Sequence, residues 1–140
     1  MACLSQGCCY SSAIFDGELS LATIKAACEA KKLRSLSVFK PEKFEINNIK
    51  EFVLYVVSNM TRLRSLNLYN KLGMENILVQ LEKLKHLQFA DLPYANIIKL
   101  PNSISRLYNL HTLMPKHCPN LVNFPDGIGN MVSLRHLDIR

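Results

Sequence analysis

The chain has 140 residues, a formal net charge of +6 at pH 7 and a hydrophobic content of 49%. One domain with a packed core is expected from these values. The apolar runs are too short for a membrane span, which needs roughly 18 residues, and the first residues lack the features of a secretory signal. Five cysteines, an odd number, do not indicate a disulfide framework, so a reducing, cytoplasmic location is expected.

The first residues of the chain show no repeat pattern. Residues 1–17 are predicted to be an irregular segment, in which SSAIF at 11–15 is a possible remnant strand of an earlier repeat. A helix is predicted after it, with Leu21, Ile24 and Cys28 on one face. Membrane contact is expected only if a cysteine of this region is acylated. The candidates for acylation are Cys3, Cys8 and Cys9.

From residue 18 to 140 the sequence is predicted to form one repeat domain, because a triplet of the form Leu-x-x-Leu-x-apolar recurs. The intervals between the first leucines are 30, 21, 26 and 24 residues, close to the roughly 20–29-residue period of leucine-rich repeats. The five triplets are Leu33-Leu36-Val38, Leu63-Leu66-Leu68, Leu84-Leu87-Phe89, Leu110-Leu113-Pro115 and Leu134-Leu137-Ile139. Pro115 has no N–H for a ladder, so strand pairing there is in doubt.

Between the triplets the chain must return along the other side of the repeat. Residues 41–62 have the apolar spacing of a helix, and Ile77, Leu78 and Leu81 predict a shorter one. The last two returns share the pattern apolar-Pro-x-x-Ile, at Pro101 and Pro125, and predict tight turns or 3₁₀ segments.

These elements predict an α/β leucine-rich-repeat solenoid of about five repeats. A short parallel sheet forms the concave side, and helices and 3₁₀ turns form the convex side. No polar capping repeat is evident at either end. We therefore expect an exposed last strand at Leu137 and Ile139, and a chain that is marginally stable or self-associating.

Residues 118–139, CPNLVNFPDGIGNMVSLRHLDI, resemble the repeats of plant cytosolic nucleotide-binding leucine-rich-repeat disease-resistance proteins. KLPNSISRLYNLHTL, 99–113, matches the same Leu-Pro-x-x-Ile pattern, and AKKLRSLSVF, 30–39, resembles the opening repeats of that family. Phe124 departs from the pattern, which has leucine before the proline. The G-x-x-x-x-G-K-[ST] phosphate loop is absent from the sequence. The resemblance therefore implies a recognition and autoinhibition module without the ATPase.

The resemblance implies protein partners: a pathogen effector, a guarded host protein or the receptor's own nucleotide-binding module. A general intracellular leucine-rich-repeat scaffold or adaptor, and a truncated product without a function of its own, remain open alternatives. An enzyme is not expected, because the histidines and aspartates do not form a recognisable catalytic set. We expect no cofactor, no metal, no small-molecule substrate and no nucleic acid.

Side chains that alternate with the strand leucines are predicted to face the concave side and to form a partner surface, although an ordinary solvated sheet face has the same pattern. The predicted concave residues are Ser35, Ser37, Phe39, Ser65, Asn67, Tyr69, His86, Gln88, Thr112, Met114, Lys116, His136 and Asp138.

The residue after each first leucine is basic and predicts a charged column along one rim, which would attract an acidic surface. An ordinary solvated position explains the same residues. The predicted rim residues are Arg34, Arg64, Lys85 and Arg135, with His111 in the same column. Cys118 is predicted to be a buried structural thiol, in the position of the family's cysteine.

Overall fold

The computed structural model describes residues 2–4, 11–16, 22, 33–39, 46–68, 75–92 and 97–139. In these residues one sheet contains seven strands in chain order, and every strand from β2 to β6 is parallel to the next. Strand β1 pairs with β2 in the antiparallel sense. The strands are β1 (Ala2–Leu4), β2 (Ser11–Asp16), β3 (Leu33–Phe39), β4 (Ser65–Leu68), β5 (Phe89–Asp91), β6 (Thr112–Met114) and β7 (His136–Leu137).

The returns between strands are helical, as the sequence predicts. Helix α1 (Ile46–Asn59) follows β3, and helix α2 (Glu75–Gln80) continues into a 3₁₀ helix at Leu81–Lys83. Two further 3₁₀ helices, Asn102–Arg106 and Asp126–Asn130, each begin directly after an extended proline. Proline suits this position because no intrahelical N–H is required there. The predicted solenoid is therefore confirmed.

The core lies between the sheet and the returns. Strand side chains alternate between the two faces, so Leu36, Leu66, Ala90 and Leu113 form one inward row across four paired strands. All four are almost completely buried. The returns contribute Val56, Leu78, Ile104 and other apolar residues to the same core cluster.

The third repeat differs from the prediction by three residues. Strand β5 pairs Phe89 with Ser65 and Ala90 with Leu66, so the triplet is Leu87-Ala90-Leu92 and not Leu84-Leu87-Phe89. Leu84 is buried but belongs to the turn before the strand. The corrected first leucines at 63, 87, 110 and 134 are 24, 23 and 24 residues apart, a more regular period than the predicted one.

The doubt about strand pairing at Pro115 is resolved by where the strand ends. Strand β6 ends at Met114, one residue before the proline, and pairs with both neighbours. Pro115 is buried, and the backbone carbonyl of Met114 accepts a hydrogen bond from the Leu92 N–H at 3.0 Å. The missing N–H of Pro115 therefore costs the sheet none of these bonds.

The N-terminal predictions fall partly outside the described residues. Residues 11–16 form strand β2, in the segment for which a remnant strand was predicted. The helix predicted after residue 16 lies outside the described residues except for residue 22, which is helical. Cys8 and Cys9 also lie outside them, and only the backbone of Cys3 is described. At the other edge of the sheet, Leu137 and Ile139 are 39% and 52% exposed.

Candidate interaction surface

The concave face of the sheet consists of two rows of side chains, fixed by the strand register. The first row is Ser35, Ser65, Phe89, Thr112 and His136, which pair successively across β3 to β7. The second row is Ser37, Asn67, Asp91 and Met114, continued by Asp138, whose N–H donates to the Leu113 carbonyl at 3.1 Å.

The structure brings most of the predicted concave residues together in these rows, while their use by a partner stays a prediction. Lys116 lies beside them and forms an ion pair with Asp138, with 3.6 Å between Nζ and Oδ2. Phe39 ends strand β3, but its side chain is not described, and Tyr69 lies outside the described residues.

Two predicted concave residues are misplaced by the register error, and two real ones were missed. His86 is exposed in the turn before β5, and Gln88 precedes the strand. Phe89 and Asp91 occupy their expected places in the two rows. The even spacing of 24, 23 and 24 residues would have identified them. Leucines at 78, 81, 84 and 87 are each three residues apart, so the Leu-x-x-Leu part of the triplet fits this stretch in more than one register. This ambiguity concealed the even spacing.

Asn67 and Asp91 are the most distinctive pair on the concave face. The Asn67 amide donates from Nδ2 to Oδ2 of Asp91 at 3.4 Å, close to the limit for a hydrogen bond. The second oxygen of each side chain, Asn67 Oδ1 and Asp91 Oδ1, is buried and has no hydrogen-bond partner within the described residues. Within the described residues, the two side chains are therefore joined by this one hydrogen bond.

The charge environment of Asp91 follows from the same geometry. Burial raises the pKa of this carboxyl above its ordinary value of 3.8 by disfavouring the ionised form. The positive charge of Lys116 acts to lower the pKa, and the negative charge of Asp138 acts to raise it. Desolvation is the largest of these effects, and the charge of Lys116 is the second.

The structure places three of the four predicted rim residues, Arg34, Arg64 and Arg135, in one column, while the use of this column by a partner stays a prediction. The Arg64 N–H donates to the Arg34 carbonyl, and the same bond continues from residue 88 to 64, from 111 to 88 and from 135 to 111, at 2.8–2.9 Å. Gln88 therefore occupies the place predicted for Lys85, which lies exposed in the preceding turn. Arg64 and Arg135 are exposed, and Arg34 is half-buried.

The burial predicted for Cys118 agrees with the structure. The thiol of Cys118 is buried, as predicted, with Sγ 3.5 Å from the Lys116 carbonyl oxygen and 3.8 Å from that of Leu92. The described residues contain no group of three or more His, Cys, Asp or Glu placed to hold a metal ion. In the same part of the chain, no helix has both the length and the apolar character needed to cross a membrane.

Residues 19–140 match the family described as the leucine-rich repeat region. The chain belongs to this leucine-rich-repeat family. The match covers most of the sequence, and the observed spacing of 24, 23 and 24 residues lies within the roughly 20–29-residue period of such repeats. No curated protein matches the chain at a significant level.

Among solved structures, this leucine-rich-repeat chain is similar to an internalin, inlF, from Listeria monocytogenes str. 4b F2365. The identity is 13% and the TM-score 0.42, over 94% of this chain and 54% of the internalin chain. The chain thus spans about half the length of that protein. At this level the similarity carries no argument about function.

Proposed function

We propose that the chain is the protein-interaction module of a plant intracellular immune receptor, acting in the cytoplasm without enzymatic activity of its own. Its partner is a pathogen protein, a guarded host protein or the receptor's nucleotide-binding module. Membership of the leucine-rich-repeat family supports an interaction module in general. The Leu-Pro-x-x-Ile stretches at 100–104 and, with phenylalanine in place of leucine, at 124–128 support the receptor assignment through their resemblance to that family.

The observation that carries the interaction role is the concave face itself. Its two rows combine an aromatic ring at Phe89, a thioether at Met114 and hydrogen-bonding groups at Asn67 and Asp91. Binding hot spots contain this mixture of apolar contact and partly desolvated polar groups. Phe89 and Met114 are half-buried, so each retains surface that a partner can cover.

The test is proximity labelling in plant leaf tissue, with a biotin ligase fused to the protein. Phe89→Ala removes an aromatic side chain from the concave face, and His86→Ala is the matched control from the exposed turn outside it. We expect wild type and His86→Ala to label the same defence components, and Phe89→Ala to label them at least about fivefold less, as for a hot-spot loss of about 1 kcal/mol.

Two outcomes of this experiment would contradict the proposal. If all three proteins label the same set equally, the concave face is not the docking surface. If the labelled set lacks receptors and other defence components, the alternative of a general leucine-rich-repeat scaffold is correct. Equal melting temperatures of the two variants show that any difference does not come from unfolding.

A further inference from the structure

The turn before each of the last four strands presents two side chains at the same edge of the solenoid. In each turn the N–H of the first leucine donates to the carbonyl three residues earlier, at 2.9–3.0 Å, and the bond encloses two residues. These pairs are residues 61–62, 85–86, 108–109 and 132–133. Because strands β4 to β7 are parallel, the four turns lie at one end of the sheet. We call the four pairs, with the rim residues 64, 88, 111 and 135 that follow the leucines, the turn edge.

The turn edge carries positive charge and no negative charge. Four of its twelve residues are lysine or arginine, and none is aspartate or glutamate. The four cations are Arg62, Arg64, Lys85 and Arg135, and all are exposed. None of the four forms an ion pair within the described part of the chain. Their charges are therefore available to an anionic surface.

Two exposed apolar side chains lie next to each other on the turn edge. Tyr108 and Val132 hold the same turn position in neighbouring repeats, and neighbouring strands are about 4.8 Å apart. Their exposed fractions are 64% and 90%. Strand β6, which follows the turn of Tyr108, has a paired strand on either side. The exposure of Tyr108 therefore does not come from a place at the end of the sheet.

Hydrogen bonds between repeats hold the turn edge in place. Asn109 donates from Nδ2 to the Lys85 carbonyl at 2.8 Å, which joins one turn to the turn before it. The rim backbone bonds between residues 88 and 64, 111 and 88, and 135 and 111 add to this, at 2.8–2.9 Å. The exposed side chains thus project from a preformed edge, and a ligand need not order the turns when it binds.

We propose that the turn edge docks on an anionic lipid bilayer, with its cations at the headgroups and with Tyr108 and Val132 in the interfacial layer. Lysine and arginine near such a surface are attracted to it within a Debye length. Tyrosine suits the membrane–water boundary because one end of its side chain is apolar and the other polar. This docking requires no acylated cysteine. It goes beyond the proposed function and leaves the concave face open to a protein, since the strands meet the bilayer with their N-terminal ends.

A bilayer fits this edge better than a protein or a nucleic acid does. The buried core of a protein interface is mainly apolar and depleted of charge, whereas the turn edge combines two apolar side chains with four cations. Attraction to lipid headgroups requires no shape complementarity, so each protruding cation contributes. Single-stranded nucleic acid stacks its successive bases on aromatic side chains, and Val132, beside Tyr108, offers no ring.

The first experiment uses the absence of tryptophan from the chain, so that one introduced tryptophan reports a single position. Val132→Trp places it on the turn edge. Val122→Trp is the matched control, at a 69% exposed position in a returning segment. Each 140-residue variant is titrated with vesicles of phosphatidylcholine, alone or with about 30% phosphatidylserine as the anionic lipid. We expect the emission of Val132→Trp to shift to shorter wavelength with the anionic vesicles only, and that of Val122→Trp to stay unchanged.

The second experiment tests the cations by cosedimentation with the same vesicles. Arg62→Gln should weaken binding to the anionic vesicles about fivefold, the effect of one cation near such a surface. Lys99→Gln removes one exposed positive charge outside the turn edge and should leave binding nearly unchanged. Equal melting temperatures of the two variants show that a difference in binding does not come from unfolding.

The proposal is overturned if the protein does not bind the anionic vesicles. It is also overturned if Arg62→Gln and Lys99→Gln weaken binding equally, because net charge alone then explains the binding, or if both tryptophans shift equally. Polyglutamate and polyuridylate are titrated in parallel. If either of them shifts the emission of Val132→Trp while the vesicles do not, the turn edge docks an acidic protein or a nucleic acid and the lipid assignment is wrong. No protein partner is present in these assays, so their failure is distinguishable from failure of the proposed function.

Discussion

At the scale of single residues, Asp91 shows how a partly buried carboxyl can weaken the fold that holds it. Its carboxyl is partly desolvated in the sheet, and the bond from Asn67 compensates for this only in part. In the unfolded chain the same carboxyl is surrounded by water. The ionised side chain is therefore less favourable in the native state than in the unfolded one.

This asymmetry predicts how stability depends on pH. Below about pH 3.8 the carboxyl is protonated in both states, so Asp91→Asn and wild type should have nearly equal free energies of unfolding. As the pH rises through the folded pKa, which is raised, wild type loses stability relative to the variant. Since the site is partly exposed, we expect a difference below about 1 kcal/mol at neutral pH.

Urea unfolding at pH 3.5 and pH 7 measures this difference. Asp126→Asn removes the same charge from an exposed position and should show no comparable change between the two pH values. A variant at Asp91 that is less stable than wild type at pH 7 would show that the carboxylate stabilises the sheet.

Most concave positions were predicted from the sequence, but Asp91 was not. The triplet pattern identified Ser65, Asn67 and Thr112 as concave because leucines flank them at fixed spacing. It missed Asp91 because Ala90 occupies a leucine position, and the leucine at 84 offered a competing match. Burial of the carboxyl depends on contacts across neighbouring strands, which a single sequence does not specify.

At the scale of elements, the 3₁₀ helices show what a short return requires for close stacking. The helices Asn102–Arg106 and Asp126–Asn130 lie against each other at Gly127 and Ser105. A Cβ on Gly127 would lie 2.8 Å from Ser105 Oγ and 3.0 Å from Ser105 Cβ. The hydroxyl of Ser105 is held in place by a 2.6 Å hydrogen bond to the Asn102 carbonyl.

We therefore expect Gly127→Ala to destabilise the protein by about 1 kcal/mol, the low end for overpacking. Gly129→Ala is the matched control, since a Cβ there meets no atom within 4 Å. That change should stay within about 0.5 kcal/mol of wild type or slightly stabilise it by restricting the unfolded chain. Thermal unfolding followed by circular dichroism compares the two variants.

A double-mutant cycle assigns the cost to this contact. Ser105→Gly should remove most of the penalty of Gly127→Ala, which gives a favourable coupling energy. Additive effects of the two substitutions would show that the cost arises elsewhere, for example in the backbone of the 3₁₀ helix.

The sequence predicted that these two segments are 3₁₀ helices, but it did not predict the contact between them. Proline followed three residues later by isoleucine indicated both 3₁₀ returns, because proline is tolerated just before the helix begins and Ile104 fills the core. Nothing in that pattern showed that Gly127 approaches Ser105. Such approaches depend on the offset between neighbouring repeats, which local spacing does not determine.

At the scale of the whole molecule, the rim column places cations along one side of the sheet. Arg64 and Arg135 are exposed there, and Gln88 and His111 separate them. Successive strands lie about 4.8 Å apart, so Arg34 and Arg64 lie on neighbouring repeats and Arg135 lies three repeats beyond Arg64. An acidic partner surface would be attracted to this side before it contacts the concave face.

We expect Arg64→Glu to slow association with the partner recovered by wild type, most strongly at low salt. Lys85→Glu is the matched control because it changes the net charge equally from an exposed position outside the rim column. Rate constants measured by surface plasmon resonance between 50 and 300 mM salt should show a steeper salt effect at Arg64, in line with electrostatic steering. Equal effects of both substitutions would mean that total charge, and not the rim, controls association.

The overall architecture was the most predictable level, because it depends on a period and not on any one residue. Leucines recurring at near-constant intervals can all be buried only if each repeat stacks on the last. An error of three residues in one repeat changed which side chains face outward but left the solenoid intact. The repeat period carries no information about the identity of the partner.

Backbone hydrogen bonds at the rim hold neighbouring repeats together without the help of side chains. The carbonyls of Arg64, Gln88 and His111 each accept two N–H groups from the following repeat, at 2.8–3.0 Å. Peptide groups, which every residue except proline carries in full, therefore set the distance between repeats at this edge. Side chains in the column and in both concave rows can be exchanged while that distance is kept, so a new binding preference needs no new scaffold.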